Sequence, residues 1–185
     1  MKKAPINKRL FAYVIDWYLG WIFAVIPIAI ASNIFGINQM SFDLTSFKKP
    51  EVYIVGAISL LFCVIYFYVI PLLNQGKTVG KKIMRLRIVK DNGEKLESSK
   101  LAMRQILGVM ILENSLIISG KNINELISVS INSDVARVLS SVTFVIFVIS
   151  CFLILKTGKA IHDLFAHSIV IEDWWRCMLW KIWKW

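Results

Sequence analysis

Apolar stretches of about twenty residues or more alternate with shorter charged ones along the chain. The first, about Leu10–Ser32, is broken only by Asp16; the second, about Val52–Leu73, carries no charge. Crossing about 30 Å of hydrocarbon takes ~20 apolar residues, so both predict membrane-spanning helices. Pro71 would kink or terminate the second. A last run, about Ala136–Leu155, predicts a further span.

Leu101–Ser119 is also long enough but contains Arg104, Gln105, Glu113 and Asn114. As a span, it would let Arg104 snorkel to the boundary and turn Glu113 and Asn114 to the bundle interior. The alternative is an amphipathic helix lying in the interface. An even number of crossings returns the basic tail to the side of the N-terminus, which favours four spans. The connection 120–135 would then be external, with room for a short interfacial helix.

The segment Asn74–Lys100 is polar and basic. Around Asp91-Asn92-Gly93 it alternates apolar and charged residues, a hairpin signal. The expected ribbon pairs Ile83–Lys90 with Lys95–Glu97 and docks elsewhere, since two strands alone are marginal. Past Lys156 the chain reads as a turn at Gly158, a short helical piece and a strand over Ser168–Ile171. The final stretch, WWRCMLWKIWKW, predicts an amphipathic helix at the headgroup level, with Trp174, Trp175, Trp180 and Trp183 as lipid anchors. The expected fold is an all-α membrane protein: a four-span helical bundle with a small cytoplasmic β-ribbon over residues 1–172. An interfacial tail over 173–185 completes it.

Composition agrees. The chain is 57% hydrophobic and 18% charged, with mean hydropathy +0.63, against about 45–50% and about 25% in soluble domains. The first apolar run is too long for a cleavable signal and carries an acid. Of 22 Lys and Arg, all but Lys48, Lys49, Lys121 and Arg137 fall on one side of the spans. The positive-inside rule puts that side, with both termini, in the cytoplasm. The net charge of +10 is then explained by anionic headgroups, and no nucleic acid is implied. Three widely spaced cysteines give neither a metal spacing nor a disulfide framework and read as apolar packers.

Among polar residues, Asp16 stands out. A carboxylate at mid-bilayer costs roughly 2.5–3.5 kcal/mol on insertion scales unless it faces protein, water or a cation. It is either a proton or cation site or a buried acid tying the first span to the Arg104 helix or to loop backbone. Arg9, two turns earlier at the membrane boundary, is too far for a direct bond, so each needs another partner. Alone, Arg9 reads as a topology anchor or a phosphate-snorkelling residue.

The run Gly76-Lys77-Thr78-Val79-Gly80-Lys81-Lys82 falls short of the phosphate-binding G-x-x-x-x-G-K-S/T loop in spacing and in its last residue. It predicts a tight turn at the membrane surface, glycine backbone pressed on neighbours and lysines on lipid phosphates. His162 and Asp163 are adjacent and would not face each other on a helix; Asp163 would cap backbone or pair with Arg104 or Arg85. His167 reads as surface or interface. Glu113 is a candidate second intramembrane acid. No histidine–cysteine spacing suggests a metal, no cofactor motif is present, and no acid, base and nucleophile converge, so no enzyme is expected.

Together these residues resemble the RDD family of bacterial integral membrane proteins, named for an arginine at the start of the first span, an aspartate within it and a further aspartate. Arg9 and Asp16 match the first two, and Asp163, in His162-Asp163-Leu164, matches the third. Gly76, Thr78, Gly80 and Lys81 match the family's turn, Leu86-Arg87-Ile88-Val89 its following strand, and Arg104 its next helix. The resemblance covers about Lys8–Glu172 and implies a multi-pass protein of the bacterial cytoplasmic membrane. Here the second span lacks an acid, and the tryptophan-rich tail lies outside the family pattern.

The resemblance implies a small transporter, such as a monovalent cation/proton exchanger. Asp16 would titrate, Arg9, Arg104, His162 and Asp163 would form a polar cluster, and a homo-oligomer would thicken the thin bundle. The alternative is a non-transporting interaction, resistance or immunity protein binding a peptide or protein partner through the Trp/Lys tail, with the Arg/Asp cluster as structural glue.

Overall fold

The computed structural model describes residues 3–37, 42–112 and 118–173. Three helices among them are long and apolar enough to cross a membrane: α1 (Ile6–Ile34), α2 (Glu51–Leu73) and α6 (Ser133–Thr157). They contain the three expected uninterrupted spans, extending the first and last by a few residues at each end and the second by Glu51 alone. Between apolar helices in lipid, packing rather than the hydrophobic effect drives association, and small residues let backbones approach. The inward face of α1 follows that rule: Ala12, Asp16, Gly20, Ala24 and Ile28 are all buried, four residues apart. At Gly20 a Cβ would lie 2.6 Å from the Phe67 ring of α2, so the missing side chain makes room for that ring. Asp16 therefore sits within the contact stripe and faces protein.

Near its end α2 widens into a π-helical turn over Ile65–Val69. Ile70 donates its N–H to Ile65 O, five residues back, and the next residue, Pro71, has no N–H to continue the ladder. The chain then makes a short helix α3 (Val79–Ile83), strand β1 (Leu86–Lys90), and α4, a turn Ser98–Ala102 continued as a π-helical stretch Met103–Leu112. Next come α5 (Ile118–Ser130), α6, the short α7 (Ile161–Phe165) and β2 (Ser168–Glu172). The expected turn at Gly158 is present, closing α6 with φ +75°.

Among the described residues, no fourth helix is long and apolar enough to cross a membrane, and within Leu101–Ser119 residues 113–117 lie outside the described residues. Helix α4 packs on α7 and on the π-turn of α2 at the end of the bundle that holds the basic segments. Helix α5 packs on α2 and on the 3₁₀ turn Leu44–Ser46 at the other end. Charged and amide side chains dilute the apolar character of both pieces. The helix expected inside 120–135 is thus longer and is packed against the bundle: Asn122 is fully buried, its amide donating to Ser59 Oγ at 2.6 Å, and Ser59 donates to Ala24 O at 2.6 Å. Glu113 and Asn114 lie outside the described residues.

The ribbon also differs from expectation. Gly93, at φ +90°, does turn the chain, and Lys90 N–H reaches Glu94 O at 2.9 Å. Pairing stops at one bridge, Val89 to Lys95. Strand β1 pairs in full with β2, antiparallel, with Ile88 opposite Val170. Leu86, Ile88 and Val89 are all buried, and Ile169-Val170-Ile171 offers apolar β-branched partners where Lys95-Leu96-Glu97 offers two charges. On its other edge β2 takes the N-terminus, through a bridge from Lys3 to Ile171 and a bond from Ala4 N–H to Val170 O at 3.0 Å. This small sheet fixes α3 and α7 against the start of α1.

Candidate functional site

Two carboxylates organise the basic end. Asp16 lies ten residues into α1, about 15 Å along its axis. Its Oδ1 accepts Tyr66 Oη at 2.8 Å and Gly80 N–H at 2.8 Å. Its Oδ2 accepts the Thr78 hydroxyl and lies 3.6 Å from Lys81 Nζ. Thr78, the N-cap of α3, is buried and aims its hydroxyl inward. At Gly80 a Cβ would stand 2.3 Å from Ala12 O and 2.9 Å from the Asp16 carboxyl, so only glycine brings that N–H to the acid. Asp16 therefore ties the first span to loop backbone, one of the two structural options, and not to the Arg104 helix.

Asp163, fully buried in α7, collects both arginines. Arg104 donates Nε at 3.0 Å and Nη2 at 2.6 Å to Oδ1. Arg9 donates Nη2 to Oδ2 at 2.9 Å and Nη1 to Gly158 O, and Ala160 N–H reaches Oδ2 at 3.1 Å. Burial opposes ionisation of Asp163, but the charges of Arg104, His162 and Arg9 outweigh it and hold the carboxyl well below its usual range. His162 Nε2 lies 3.6 Å from Oδ1, closer than its neighbouring position on a helix suggests. Helix α7 reaches Arg104 because Gly108 of α4 leaves room: a Cβ there would be 2.3 Å from His162 Cβ.

The expected single cluster thus resolves into two nodes: Arg9, Arg104 and His162 around Asp163, and Tyr66, Thr78, Gly80 and Lys81 around Asp16. Neither arginine snorkels. Both guanidinium groups find a buried carboxylate instead, and the several hydrogen bonds to Asp163 offset the desolvation of the charges. Nor do all the turn's lysines face headgroups: Lys77 pairs with Asp173 and Lys81 with Asp16, while Lys82 is exposed. Gly76, at φ +81°, abuts Ile88 O, where a Cβ would come within 2.8 Å, and seats β1 beside the turn. His167 is exposed, as expected. Tyr66, Gln105, Ser59 and Asn122 are the polar residues that sequence reasoning passes over as site members. A tyrosine inside an apolar span is their one available signal, since a buried phenol needs a partner. Trp174, Trp175, Trp180 and Trp183 lie outside the described residues.

Between α1, α4 and α6 opens a cavity of about 360 Å³. Its polar wall is formed by Arg9, Asp16, Lys81, Arg104, Gln105 and His162, and the remaining lining is mostly apolar. Both nodes therefore border one space.

The whole-chain comparisons bear on these motifs directly. The RDD family model matches residues 3–167, a stretch holding both nodes, the glycine turn and the start of β2's connection. No curated protein matches, and no solved structure does. With its arginine and aspartate in the first span and its second aspartate in α7, the chain belongs to the RDD family of membrane proteins.

Proposed function

We propose that this membrane protein is a small transporter that exchanges a monovalent cation, held at Asp16, for a proton carried by Lys81. The observation that carries the reading is the Lys81 ammonium standing 3.6 Å from Asp16 Oδ2 on the wall of the cavity. Around the carboxylate, the hydroxyl oxygens of Tyr66 and Thr78 supply the hard oxygen donors that such a cation prefers. Burial lowers the proton affinity of Lys81, while Asp16 pulls the other way. When Lys81 loses its proton, Asp16 is left without a counter-charge and takes the cation, and the hydroxyls rotate their lone pairs toward it. One proton leaves as one positive charge enters, so the buried site keeps its net charge.

The same reading has the chain cross the bacterial cell membrane four times, α4 and α5 together making the third passage, with both termini in the cytoplasm. The gathering of basic segments at one end supports that orientation, and exposed Lys82 and Lys95 are placed for anionic headgroups. Protomers would associate to enclose the pathway.

Proteoliposomes carrying a pH dye test it. An inward sodium or potassium gradient should drive protons out, and Asp16→Asn and Lys81→Met should each abolish that movement. No gradient-driven proton flux in the parent chain, or unchanged flux in Asp16→Asn, refutes the exchanger.

A second reading draws on the complete hydrogen bonding of Asp163: the nodes serve only as a lock, and the protein binds a peptide or protein partner without transport. In that case deleting Trp174–Trp185 abolishes partner capture with the bundle intact, and a tail-less chain that still captures its partner refutes it.

A further inference from the structure

Gln105, in the π-helical stretch of α4, is 1% exposed, and its Nε2 has no hydrogen-bond partner among the described residues. Its orientation is forced. Arg104 Nη1 donates to the amide oxygen at 3.2 Å, and a guanidinium can only donate, so the NH₂ cannot take that place. A buried donor left without an acceptor carries an uncompensated desolvation penalty, and Gln105 is one of the residues lining the cavity.

The cavity has two unlike parts. Around Gln105 the basic side chains Arg9, Lys81 and Arg104 outnumber the acids Asp16 and Asp163, leaving a surplus of positive charge. Away from it the walls are Phe147, Cys151 and Ile154 of α6 facing Leu10 and Trp17 of α1. Leu10, Trp17 and Leu155 line the cavity and are also exposed on the outside of the bundle, so the apolar part opens sideways between two helices that cross the membrane. At about 360 Å³ the space lies at the low end for small-molecule sites, roughly 300–1,000 Å³. It suits one hydrocarbon chain with its polar end.

We infer that this cavity is a lateral binding site for an anionic phospholipid of the leaflet at the basic end, one acyl chain entering between α1 and α6 and the phosphate taking the Gln105 amide. The anion satisfies the stranded NH₂ and neutralises the surplus charge, and the acyl chain covers the apolar wall of the cavity. Zwitterionic lipid offers the same hydrocarbon without the net charge. Free phosphate offers the charge without the hydrocarbon.

Cys151, on the apolar wall, reports occupancy. The full-length chain carrying Cys177→Ser is held in neutral detergent, and the rate of maleimide labelling of Cys151 is followed against added phosphatidylglycerol, phosphatidylcholine or inorganic phosphate. Phosphatidylglycerol should slow labelling saturably, while phosphatidylcholine and phosphate should not at equal concentration. Gln105→Leu should weaken the phosphatidylglycerol effect by about tenfold, the scale of one hydrogen bond to a charged group. Equal protection by phosphatidylcholine reduces the site to generic apolar filling and overturns the inference. Protection by phosphate alone makes it an anion site without lipid, and no protection by any of them means that water meets the amide; either result overturns it too. The parent arms need no substitution within the bundle, so misfolding of Gln105→Leu leaves the test intact. Proton flux does not enter the readout, so loss of the exchanger reading and loss of this one are separable.

Discussion

Arg9 and Asp16 share one face of α1 two turns apart, yet they bind different partners: Arg9 turns to Asp163 in α7 and Asp16 to Thr78 and Gly80 at the start of α3. One helix thereby anchors two distant segments through two separate charges. The arrangement gives each charge its own measurable role.

Asp163→Ala should leave Arg9 and Arg104 facing each other without a carboxylate. Breaking a buried ion pair by removing one partner costs about 3–5 kcal/mol. Thermal or denaturant unfolding in detergent should show a loss of that size, and Arg104→Met combined with Asp163→Leu should recover part of it. Equal stability of the single variant and the parent would refute the clamp.

The same carboxylate sets a pH dependence. Its folded-state pKa is depressed, chiefly by Arg104 against the opposing effect of burial. Its contribution to stability is therefore complete above the unfolded carboxylate range, about pH 4. It is lost as pH falls from there toward the depressed folded value. The Tm difference between parent and Asp163→Asn should be constant near neutrality and narrow below about pH 4. A difference that widens in acid contradicts the assignment.

Gly80→Ala places a methyl against Ala12 O and the Asp16 carboxyl. Overpacking costs about 1–3 kcal/mol, and a weakened N–H bond to the carboxylate adds about 1.5–3 kcal/mol. Gly36→Ala is the control: φ is +64° with nothing within 4 Å of the added carbon, so only backbone strain of about 1–2 kcal/mol applies. Unfolding measurements should rank Gly80→Ala as the more damaging.

Ser59→Ala breaks the chain from Asn122 to Ala24 O across three helices. Interhelical hydrogen bonds in membranes average only about 0.6 kcal/mol, with a ceiling near 1.7. The expected loss is in that range, well below that of Asp163→Ala. A loss above about 3 kcal/mol would mean that the buried Ser59 and Asn122 do more than join helices.

Much of this architecture is legible in the residues. An acid inside an apolar run must face protein, and the four-residue spacing of Ala12, Asp16, Gly20 and Ala24 already places it on the close-packed face of α1. The partition of charge between the nodes is not legible, because it depends on the reach of α3 and α7, which are short helices joined by turns. The choice of Ser168–Glu172 over Lys95–Glu97 as the partner of β1 is likewise a tertiary outcome: the Asn-Gly turn forms, but burial decides the pairing. The π-helical stretch that sets Gln105 beside Arg104 has no periodic signature, since its residues read equally well as an ordinary amphipathic helix.

Strand β2 lies between the N-terminal residues and β1, and Asp163 comes just before it. During synthesis both guanidinium groups, at positions 9 and 104, leave the ribosome well ahead of the acid that joins them. Until then the nascent protein carries two guanidinium groups whose shared carboxylate has yet to be made.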